Sequence, residues 1–377
     1  MREFENRVSL SKIIKDLVRE NDYISEIETN SPGILFYKER GKRKSISVPY
    51  KTEEEYKEGI EELIEDSGLI SRPYLVEGRY NLPNDKLGRL HIVMPPASPY
   101  PQVTLAIKTA TLTSLTSIQA AGSFNTEISM FLKAAVGAKI TTVLSGGTGA
   151  GKTTMLEAIT SEFDLTERIG VVEDSPELRL KSPNTVYLTS TVWSPGMKES
   201  EVADLSWAVK QINRMRVDKL IVGETRGKEF FDFVTGANSG MEGSLTTIHA
   251  NDANAAMKKM AMFMYMSVDM SPRIINEMLS QAVDIIIQLG KNKAGEHKII
   301  SIHEVTNAIS TGDSPTVALN PLFTFDEKTG RWDKRFATDN LKKKLEKHGY
   351  NSNSYAIKEV ETMQTQGGLP TYFRSDK

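Results

Sequence analysis

The chain has 377 residues, enough for two domains, and its hydrophobic fraction of 39% and charged fraction of 25% are ordinary for a globular protein. A net charge of −2 gives no overall attraction to nucleic acid or anionic lipid, and the absence of cysteine excludes disulfides and cysteine-ligated zinc modules. The sequence contains no apolar stretch that approaches a membrane span, and its N-terminus is too polar for a signal peptide. We therefore expect a cytoplasmic protein that is peripheral at a membrane through its partners.

The first third of the chain, residues 1–110, predicts a small N-terminal α+β domain. Apolar residues at helical spacing occur in the first twenty residues and again within the acidic run from Glu53 to Asp66. Short apolar runs predict strands at residues 34–37, 45–48, 74–76, 90–94 and 104–107. The segment 111–125 is rich in Ser, Thr, Ala and Gly, and we interpret it either as the inter-domain linker or as a surface loop with a short helix.

Residues 126–350 alternate predicted strands and helices. The predicted strands of this region lie at residues 140–144, 171–172, 186–188, 219–222, 245–248 and 284–287, with further strand-like runs between 298 and 336. Alternation of this kind predicts an α/β nucleotide-binding domain with a central, largely parallel sheet. From residue 351 to residue 377 the composition becomes polar, which predicts a poorly ordered C-terminal tail.

The segment 145–154 carries the most specific motif of the chain, because it matches G-x-x-x-x-G-K-[ST] between a predicted strand and a predicted helix. Glycines let successive backbone N–H groups face phosphate oxygens, and the helix N-terminus adds partial positive charge at the same point. Lys152 would reach the β- and γ-phosphates, and Thr153 would offer its hydroxyl to Mg²⁺. The predicted nucleotide-binding residues are Gly146, Gly147, Thr148, Gly149, Ala150, Gly151, Lys152, Thr153 and Thr154.

Three polar groups follow other predicted strands. Glu224 ends the run 219–224, the acidic residues Glu173, Asp174 and Glu177 follow the strand at 171–172, and His249 ends the strand at 245–248. A phosphate loop needs a carboxylate at a strand end that holds Mg²⁺ or orients water, and the first two groups supply one each. Taken singly, these features are also compatible with a surface glutamate, a solvated loop and a structural histidine.

Taken in order, these features resemble the secretion-superfamily ATPases, the hexameric motors of type II and type IV secretion, conjugation and pilus assembly. Arg79 and Arg89 come first, and the runs 145–154, 171–178, 214–227 and 247–251 then match the family's Walker A, acidic-box, Walker B and His-box motifs. The likeness extends from about residue 74 to about residue 350. Gly88-Arg89 followed by Pro95-Pro96 is typical of the conjugation and tight-adherence-pilus branch. The lack of cysteine agrees, since the type II and pilus-extension motors usually carry a four-cysteine zinc insert.

The resemblance implies a RecA-like P-loop ATPase domain behind a smaller N-terminal domain, with ATP and Mg²⁺ as cofactors. It implies a homo-hexamer that works with inner-membrane components of a secretion or pilus machine, and it leaves contact with nucleic acid open. Thr153, Glu173 and Glu224 are then the Mg²⁺ residues, and Glu224 also orients the attacking water. His249 reports on the γ-phosphate, Arg89 reaches the phosphates from the first domain, and Arg226 acts at an interface between subunits or domains.

The chain departs from the family at three positions. Lys108 stands where a further first-domain arginine is more common, Val217 replaces a proline, and Met241 stands where a histidine often follows the Ser/Thr-Gly pair. A small-molecule kinase, a helicase-like nucleic-acid motor and a non-hydrolysing scaffold are the alternative functions. The first would need a lid and an acceptor pocket, and the second would need basic or aromatic nucleic-acid contacts.

Overall fold

The computed structural model describes residues 9–69, 74–84, 86–108, 114–190, 203–307 and 317–357. Within these ranges the chain forms one six-stranded and one nine-stranded β-sheet with helices packed on them. No helix in this part of the chain has the length and apolar character needed to cross a lipid bilayer. Residues 111–113 of the predicted linker and residues 358–377 of the predicted tail lie outside the described ranges.

The first sheet is antiparallel and has the strand order β3-β2-β1-β6-β5-β4. Its strands are β1 (Ile24–Thr29), β2 (Ile34–Glu39), β3 (Lys42–Ser47), β4 (Leu75–Asn81), β5 (Leu87–Val93) and β6 (Gln102–Lys108). Two helices, α1 (Leu10–Glu20) and α2 (Glu53–Ser67), pack against each other and share one hydrophobic core with the sheet. The predicted helices and strands of the first third are present.

Strand β1, which lies inside this sheet between β2 and β6, is not among the predicted strands. Its sequence buries Ile24, Ile27 and Thr29 but places Ser25, Glu26 and Glu28 between them, so no continuous apolar run marks it. At the sheet margin, β3 is an edge strand with exposed basic residues at positions 42–44. The first sheet therefore has a buried side of ordinary composition and a strongly basic edge.

The second sheet has the order β15-β14-β13-β12-β7-β11-β10-β8-β9, and its six strands from β12 to β9 run parallel. The strands are β7 (Thr142–Gly146), β8 (Ile169–Glu173), β9 (Thr185–Thr189), β10 (Lys219–Thr225), β11 (Leu245–Ile248), β12 (Ile285–Lys291), β13 (His297–Asn307), β14 (Val317–Asp326) and β15 (Arg331–Lys334). Three antiparallel strands, β13 to β15, extend the parallel part at the β12 side. The predicted α/β architecture with a central, largely parallel sheet is confirmed.

Helices cover both faces of this sheet. They are α3 (Leu115–Ala120), α4 (Thr126–Gly137), α5 (Lys152–Thr160), α6 (Leu205–Arg214), α7 (Glu229–Asn238), α8 (Ala253–Tyr265), α9 (Pro272–Ala282) and α10 (Asp339–Lys347). Residues of α3, α4, α5 and α10 form one core cluster, and residues of α6 to α9 form the other. The parallel strands are therefore buried on both sides, which explains their nearly continuous apolar runs.

Two predicted boundaries contain ordered structure in the described part of the chain. Residues 115–120 of the predicted linker form α3, which places Leu115 and Ile118 in the core. Residues 350 and 357 form an isolated β-bridge at the start of the predicted tail, and Tyr355 packs at 5.0 Å from the Phe131 ring. Both segments are mostly polar, and a few apolar residues in each, Leu115 and Ile118 in the first and Tyr355 in the second, pack against the rest of the protein.

Candidate active site

The candidate site lies where the parallel strands of the second sheet end. The order β7-β11-β10-β8 makes these four strands neighbours, and Val222 of β10 is aligned with both Val172 of β8 and Thr246 of β11. The carboxyl ends of adjacent parallel strands meet at one edge of a sheet, where ligands bind in open α/β folds. The topology therefore brings the phosphate loop and the predicted residues at three other strand ends to the same edge.

The phosphate loop connects β7 to α5 as predicted. Gly149 and Gly151 have φ of +68° and +88°, a backbone conformation that disfavours residues with a Cβ, and α5 begins directly after Gly151. Lys152 donates from Nζ to the carbonyl oxygens of Gly146 at 2.9 Å and Gly147 at 3.1 Å. Burial lowers the pKa of Lys152, while the nearby carboxylate of Glu224 opposes this shift. The lysine is thus held on the loop that it would help to close around phosphate.

Glu173 is buried at the end of β8 and organises the loop that follows. Its carboxylate accepts hydrogen bonds from the backbone N–H groups of Glu177 and Leu178, each at 3.1 Å to Oε1. Gly223 lies opposite, and a Cβ added there would come within 2.9 Å of the Glu173 Cγ. The glycine before Glu224 therefore makes room for the neighbouring strand's glutamate, which explains its place in the Walker B run.

Glu224 pairs with Arg226 at the end of β10. Arg226 donates to Glu224 Oε2 from Nε at 3.1 Å and from Nη2 at 2.5 Å, and its Nη1 donates to Asp174 Oδ2 at 3.2 Å. Burial lowers the pKa of Arg226, but the contacts with Glu224 and Asp174 outweigh it, so the pKa lies above its ordinary value. Arg226 therefore links the Walker B strand end to the acidic loop after β8.

Arg89 joins the two sheets. It lies on β5, donates from Nη2 to the carboxylate of Glu77 on β4, and donates from Nη1 to Glu177 Oε1 at 3.3 Å. Burial lowers the pKa of Arg89, but these two carboxylates outweigh it and raise the pKa. Arg79 is aligned with Arg89 across the β4–β5 ladder, and its buried Nε has no hydrogen-bond partner among the described residues.

His249 follows β11 and lies at a second cavity beside the phosphate loop. Its backbone oxygen accepts a hydrogen bond from Lys259 Nζ of α8 at 2.7 Å. Two residues earlier, Thr247 donates from Oγ1 to the Gly223 oxygen at 2.7 Å, which ties the end of β11 to the peptide that precedes Glu224. The His249 loop and the Glu224 strand end are therefore connected by a partly buried side-chain hydrogen bond.

Two cavities of about 500 and 530 Å³ meet at this edge. Residues of the first sheet, among them Arg79, Leu87 and Ile107, line the first cavity together with residues of the phosphate loop. Six residues line both cavities: Arg89, Thr148, Gly149, Lys152, Glu224 and Arg226. Ala150, Gly151, Thr153, Thr154 and Glu173 line the first cavity, and His249 lines the second. All the residues predicted to be catalytic are therefore brought together, whereas Gly146 and Gly147 line neither cavity and contact Lys152 through their carbonyls.

Comparison with known proteins identifies the family. The sequence profile of the family described as type II/IV secretion system protein matches residues 11–314. The chain belongs to this family. A Mycobacterium tuberculosis protein named for conjugal transfer is 31% identical over 231 residues, which are 61% of this chain and 64% of that protein. The type IV secretion system protein VirB11 of Bartonella henselae is 33% identical over 176 residues, 46% of this chain and 48% of that protein. The chain thus spans less than two thirds of the length of these relatives.

Two solved structures support the fold. The Legionella pneumophila ATPase DotB superposes with a TM-score of 0.56 at 17% identity, covering 79% of this chain and 82% of DotB. The pilus retraction motor PilT superposes with a TM-score of 0.53 at 15% identity, covering 90% of this chain and 87% of PilT. These likenesses confirm the predicted RecA-like domain with a smaller N-terminal domain, and the family assignment confirms the resemblance to the conjugation branch of the secretion ATPases.

The site of this secretion-family chain fits a nucleotide with Mg²⁺. Space is open beside Gly147 and Gly149, where the backbone can approach phosphate, and the buried Nε of Arg79 supplies a donor without a protein partner in the described ranges. Within those ranges no three His, Asp or Glu side chains are placed to hold a metal ion alone. Mg²⁺ usually binds through one or two protein groups together with substrate phosphates, so the Thr153 hydroxyl and nearby carboxylates are a suitable set.

Sequence reasoning missed several residues that shape the site. Glu77 binds Arg89, Thr247 binds the Gly223 carbonyl, and Lys259 binds the His249 carbonyl. Glu77 could have been found, because its alternation with Arg79 on one strand places both next to the strand of Arg89. The contacts of Thr247 and Lys259 have no sequence signal, since both partners are backbone oxygens brought close only by the fold.

We predict that Glu173→Ala loosens the loop after β8. The substitution removes the acceptor of two charge-assisted backbone hydrogen bonds, so the amides of Glu177 and Leu178 should exchange hydrogen about tenfold faster or more. Asp174→Ala is the matched control, because Asp174 is the next residue and accepts from Ser190 and Arg226 instead. Equal exchange in wild type and Glu173→Ala would contradict this role, as would equal acceleration in both variants.

Proposed function

We propose that the chain is a Mg²⁺-dependent ATPase that forms a ring oligomer, most simply a hexamer, and powers a secretion, conjugation or pilus-assembly machine. The observation that carries this proposal is one cavity in which the phosphate loop, Glu173 and Glu224 of the second sheet face Arg89 of the first. Family membership supports the machine class. Its alternatives, a small-molecule kinase and a helicase-like motor, are compatible with the phosphate loop but not with the family to which the chain belongs.

The second sheet supplies binding and water activation in this proposal. The loop amides and Lys152 would hold the phosphates, and Thr153 with Glu173 and Glu224 would hold Mg²⁺, which supplies positive charge that neutralises the phosphates. Glu224 orients the water that attacks the γ-phosphorus, so that the bond to the bridging oxygen breaks and ADP and inorganic phosphate leave. Both Arg226 donors contact Glu224 Oε2, so the guanidinium would have to move for that oxygen to take part.

The first sheet supplies a mobile cation. Arg89 is paired with Glu77 of its own sheet and Glu177 of the second, so it already spans the two parts of the cavity. Polyphosphate would compete with these carboxylates for the guanidinium, since it offers a higher negative charge. Closure around nucleotide would then move Arg89 toward the transferred phosphoryl group, where it stabilises developing charge. His249, in the adjoining cavity, would respond to the γ-phosphate.

The partners of this activity are also proposed. We infer inner-membrane components of a secretion or pilus machine as the partners that bring the chain, as a cytoplasmic protein, to the membrane. The comparison that supports this is the likeness to a VirB11 protein of a type IV secretion system and to proteins named for conjugal transfer. The machine to which the chain binds would determine the transported material, which would be DNA, protein or pilin.

ATP hydrolysis should require Lys152 and Glu224 in different ways. Lys152→Ala should weaken nucleotide binding about tenfold or more, because a charge-assisted contact is lost. Glu224→Gln should keep binding and reduce turnover by a factor on the order of 100 or more, because the charge that orients water is gone while the shape remains. Phosphate release beside equilibrium nucleotide binding measures both, with the exposed Glu242→Gln as control. Hydrolysis at the wild-type rate in Glu224→Gln would show that the Walker B assignment is wrong. Absence of hydrolysis in the wild-type chain would favour the non-hydrolysing scaffold.

Arg89→Ala should lower turnover about tenfold, or about 1.4 kcal/mol of transition-state stabilisation, while nucleotide affinity falls less. The reason is that the contact tightens only when the two sheets close on the nucleotide. Arg43→Ala is the control, because Arg43 is an exposed arginine of the same sheet paired with Glu28. Lys108→Ala tests the departure from the family at the end of β6. If Arg89→Ala and Lys108→Ala both turn over at the wild-type rate, the first sheet has no part in catalysis.

The oligomeric state should depend on nucleotide. Native mass measurement of the full chain with ATP or a non-hydrolysable analogue should give a six-fold species, because the family resemblance implies a ring and ATP binding aligns the two sheets of each subunit. Omitting nucleotide should shift the distribution toward smaller species. Monomers or dimers alone, at high protein concentration with nucleotide present, would exclude a ring motor.

A further inference from the structure

Two buried polar side chains, Ser145 and Gln288, lie on neighbouring strands next to the phosphate loop. Gln288 of β12 is aligned with Ser145 of β7, and Ser145 is aligned on its other side with Ile248 of β11. Ser145 is 0% exposed and Gln288 is 4% exposed. Val143 and Ile286, two residues earlier on the same strands, belong to one core cluster with Ile248. Because side chains alternate along a strand, Ser145, Gln288 and Ile248 share that face of the sheet.

Gln288 holds the backbone that follows the predicted γ-phosphate sensor. Its Nε2 donates to the Asn251 oxygen at 3.2 Å, with a longer contact of 3.4 Å to the Ala250 oxygen. These two residues come directly after His249, between β11 and α8. A buried amide on β12 therefore fixes where the His249 loop leaves the sheet edge.

The oxygen of the same Gln288 amide has no hydrogen-bond partner among the described residues. Gln288 Oε1 and Ser145 Oγ are both buried, and neither has a partner among the described residues. One is an acceptor and the other carries a donor hydrogen, and neighbouring strands are about 5 Å apart. Buried polar atoms in folded proteins are almost always paired, either directly or through an ordered water. The two atoms are therefore of complementary type, a donor and an acceptor, on residues aligned across β7 and β12.

We propose that Gln288 is a positioning residue that couples the phosphate loop to His249. In this arrangement the Ser145 hydroxyl donates to Gln288 Oε1, either directly after a small side-chain rotation or through one buried water, while Nε2 holds residues 250 and 251. Ser145 directly precedes Gly146, whose carbonyl binds Lys152. A change at the loop when phosphate binds is thereby passed through one side chain to the backbone of the sensor. The inference rests on the proposed ATPase function, because its catalytic consequence is a change in ATP turnover.

The test uses three variants of the full chain. Gln288→Met keeps side-chain length without hydrogen bonds, Ser145→Ala removes the hydroxyl, and Ile286→Val is the control, a buried deletion on the same strand and face. The measurements are kcat, the Kd of ATP, and hydrogen exchange at residues 249–252. Gln288→Met should lower kcat about tenfold, leave the Kd of ATP within about twofold, and speed exchange about tenfold, since a hydrogen bond of ordinary strength is lost.

The double variant with Ser145→Ala and Gln288→Met tests whether the two residues act together or independently. If Ser145 acts through Gln288, Ser145→Ala lowers kcat in the wild type but has no further effect in Gln288→Met, because the acceptor is already gone. Three results would each overturn the proposal. They are a kcat of the double variant lowered by the product of the two single losses, hydrogen exchange at residues 249–252 that is unchanged in Gln288→Met, and a kcat loss in Ile286→Val equal to that in Gln288→Met. A wild-type chain without ATP hydrolysis would instead refute the proposed function, and the exchange result would still decide whether Gln288 holds the His249 loop.

Discussion

The site depends on the alignment of the carboxyl ends of neighbouring parallel strands around β7. This strand is central in the sheet, with β12 on one side and β11, β10 and β8 on the other. Each neighbour contributes one kind of group at its end: an amide from β12, a histidine after β11, and glutamates from β10 and β8. Side-chain hydrogen bonds to backbone oxygens, such as Thr247 to Gly223, fix the strand ends relative to one another. A shift in register of one strand would therefore misplace a whole functional group.

The charged side chains of the site are paired within the protein, and in the proposed function these contacts would be exchanged for contacts with nucleotide. Lys152 rests on loop carbonyls, Arg226 on Glu224 and Asp174, and Arg89 on Glu77 and Glu177. Partly buried ions are costly unless paired, so these contacts keep the cavity stable without a ligand. A polyphosphate with its metal would replace the carboxylates as partner of the arginines. In the proposed function, nucleotide binding would therefore cost the free energy of breaking these ion pairs. Arg89 pairs with a glutamate of each sheet, so part of that free energy depends on how the two sheets are placed.

Sequence reasoning predicted the features that short, local patterns encode. The phosphate loop, the strand-end positions of Glu173, Glu224 and His249, and the alternation of the second sheet follow from residues close together in the chain. Strand β1 was missed because charged residues interrupt its apolar side. The helix α3 agrees with the alternative interpretation of residues 111–125, which included a short helix, rather than with a linker alone. Contacts such as Arg89 with Glu177 and Gln288 with Asn251 join residues 88 and 37 positions apart. They depend on strand order and register, which no local pattern specifies.

The edge strand β3 limits how copies of the chain can meet. Edge strands offer unpaired backbone groups to other chains, and exposed lysines on them discourage such pairing. Residues 42–44 place three cations in a row on this exposed strand. Arg43 pairs with Glu28 and Lys44 with Glu39, but two copies joined through the strand would still bring these cations close together. Continuous sheets running from one molecule to the next are therefore disfavoured at this margin. A sheet shared between two copies would have to form at another edge strand, such as β4 of the same sheet or β9 of the second sheet.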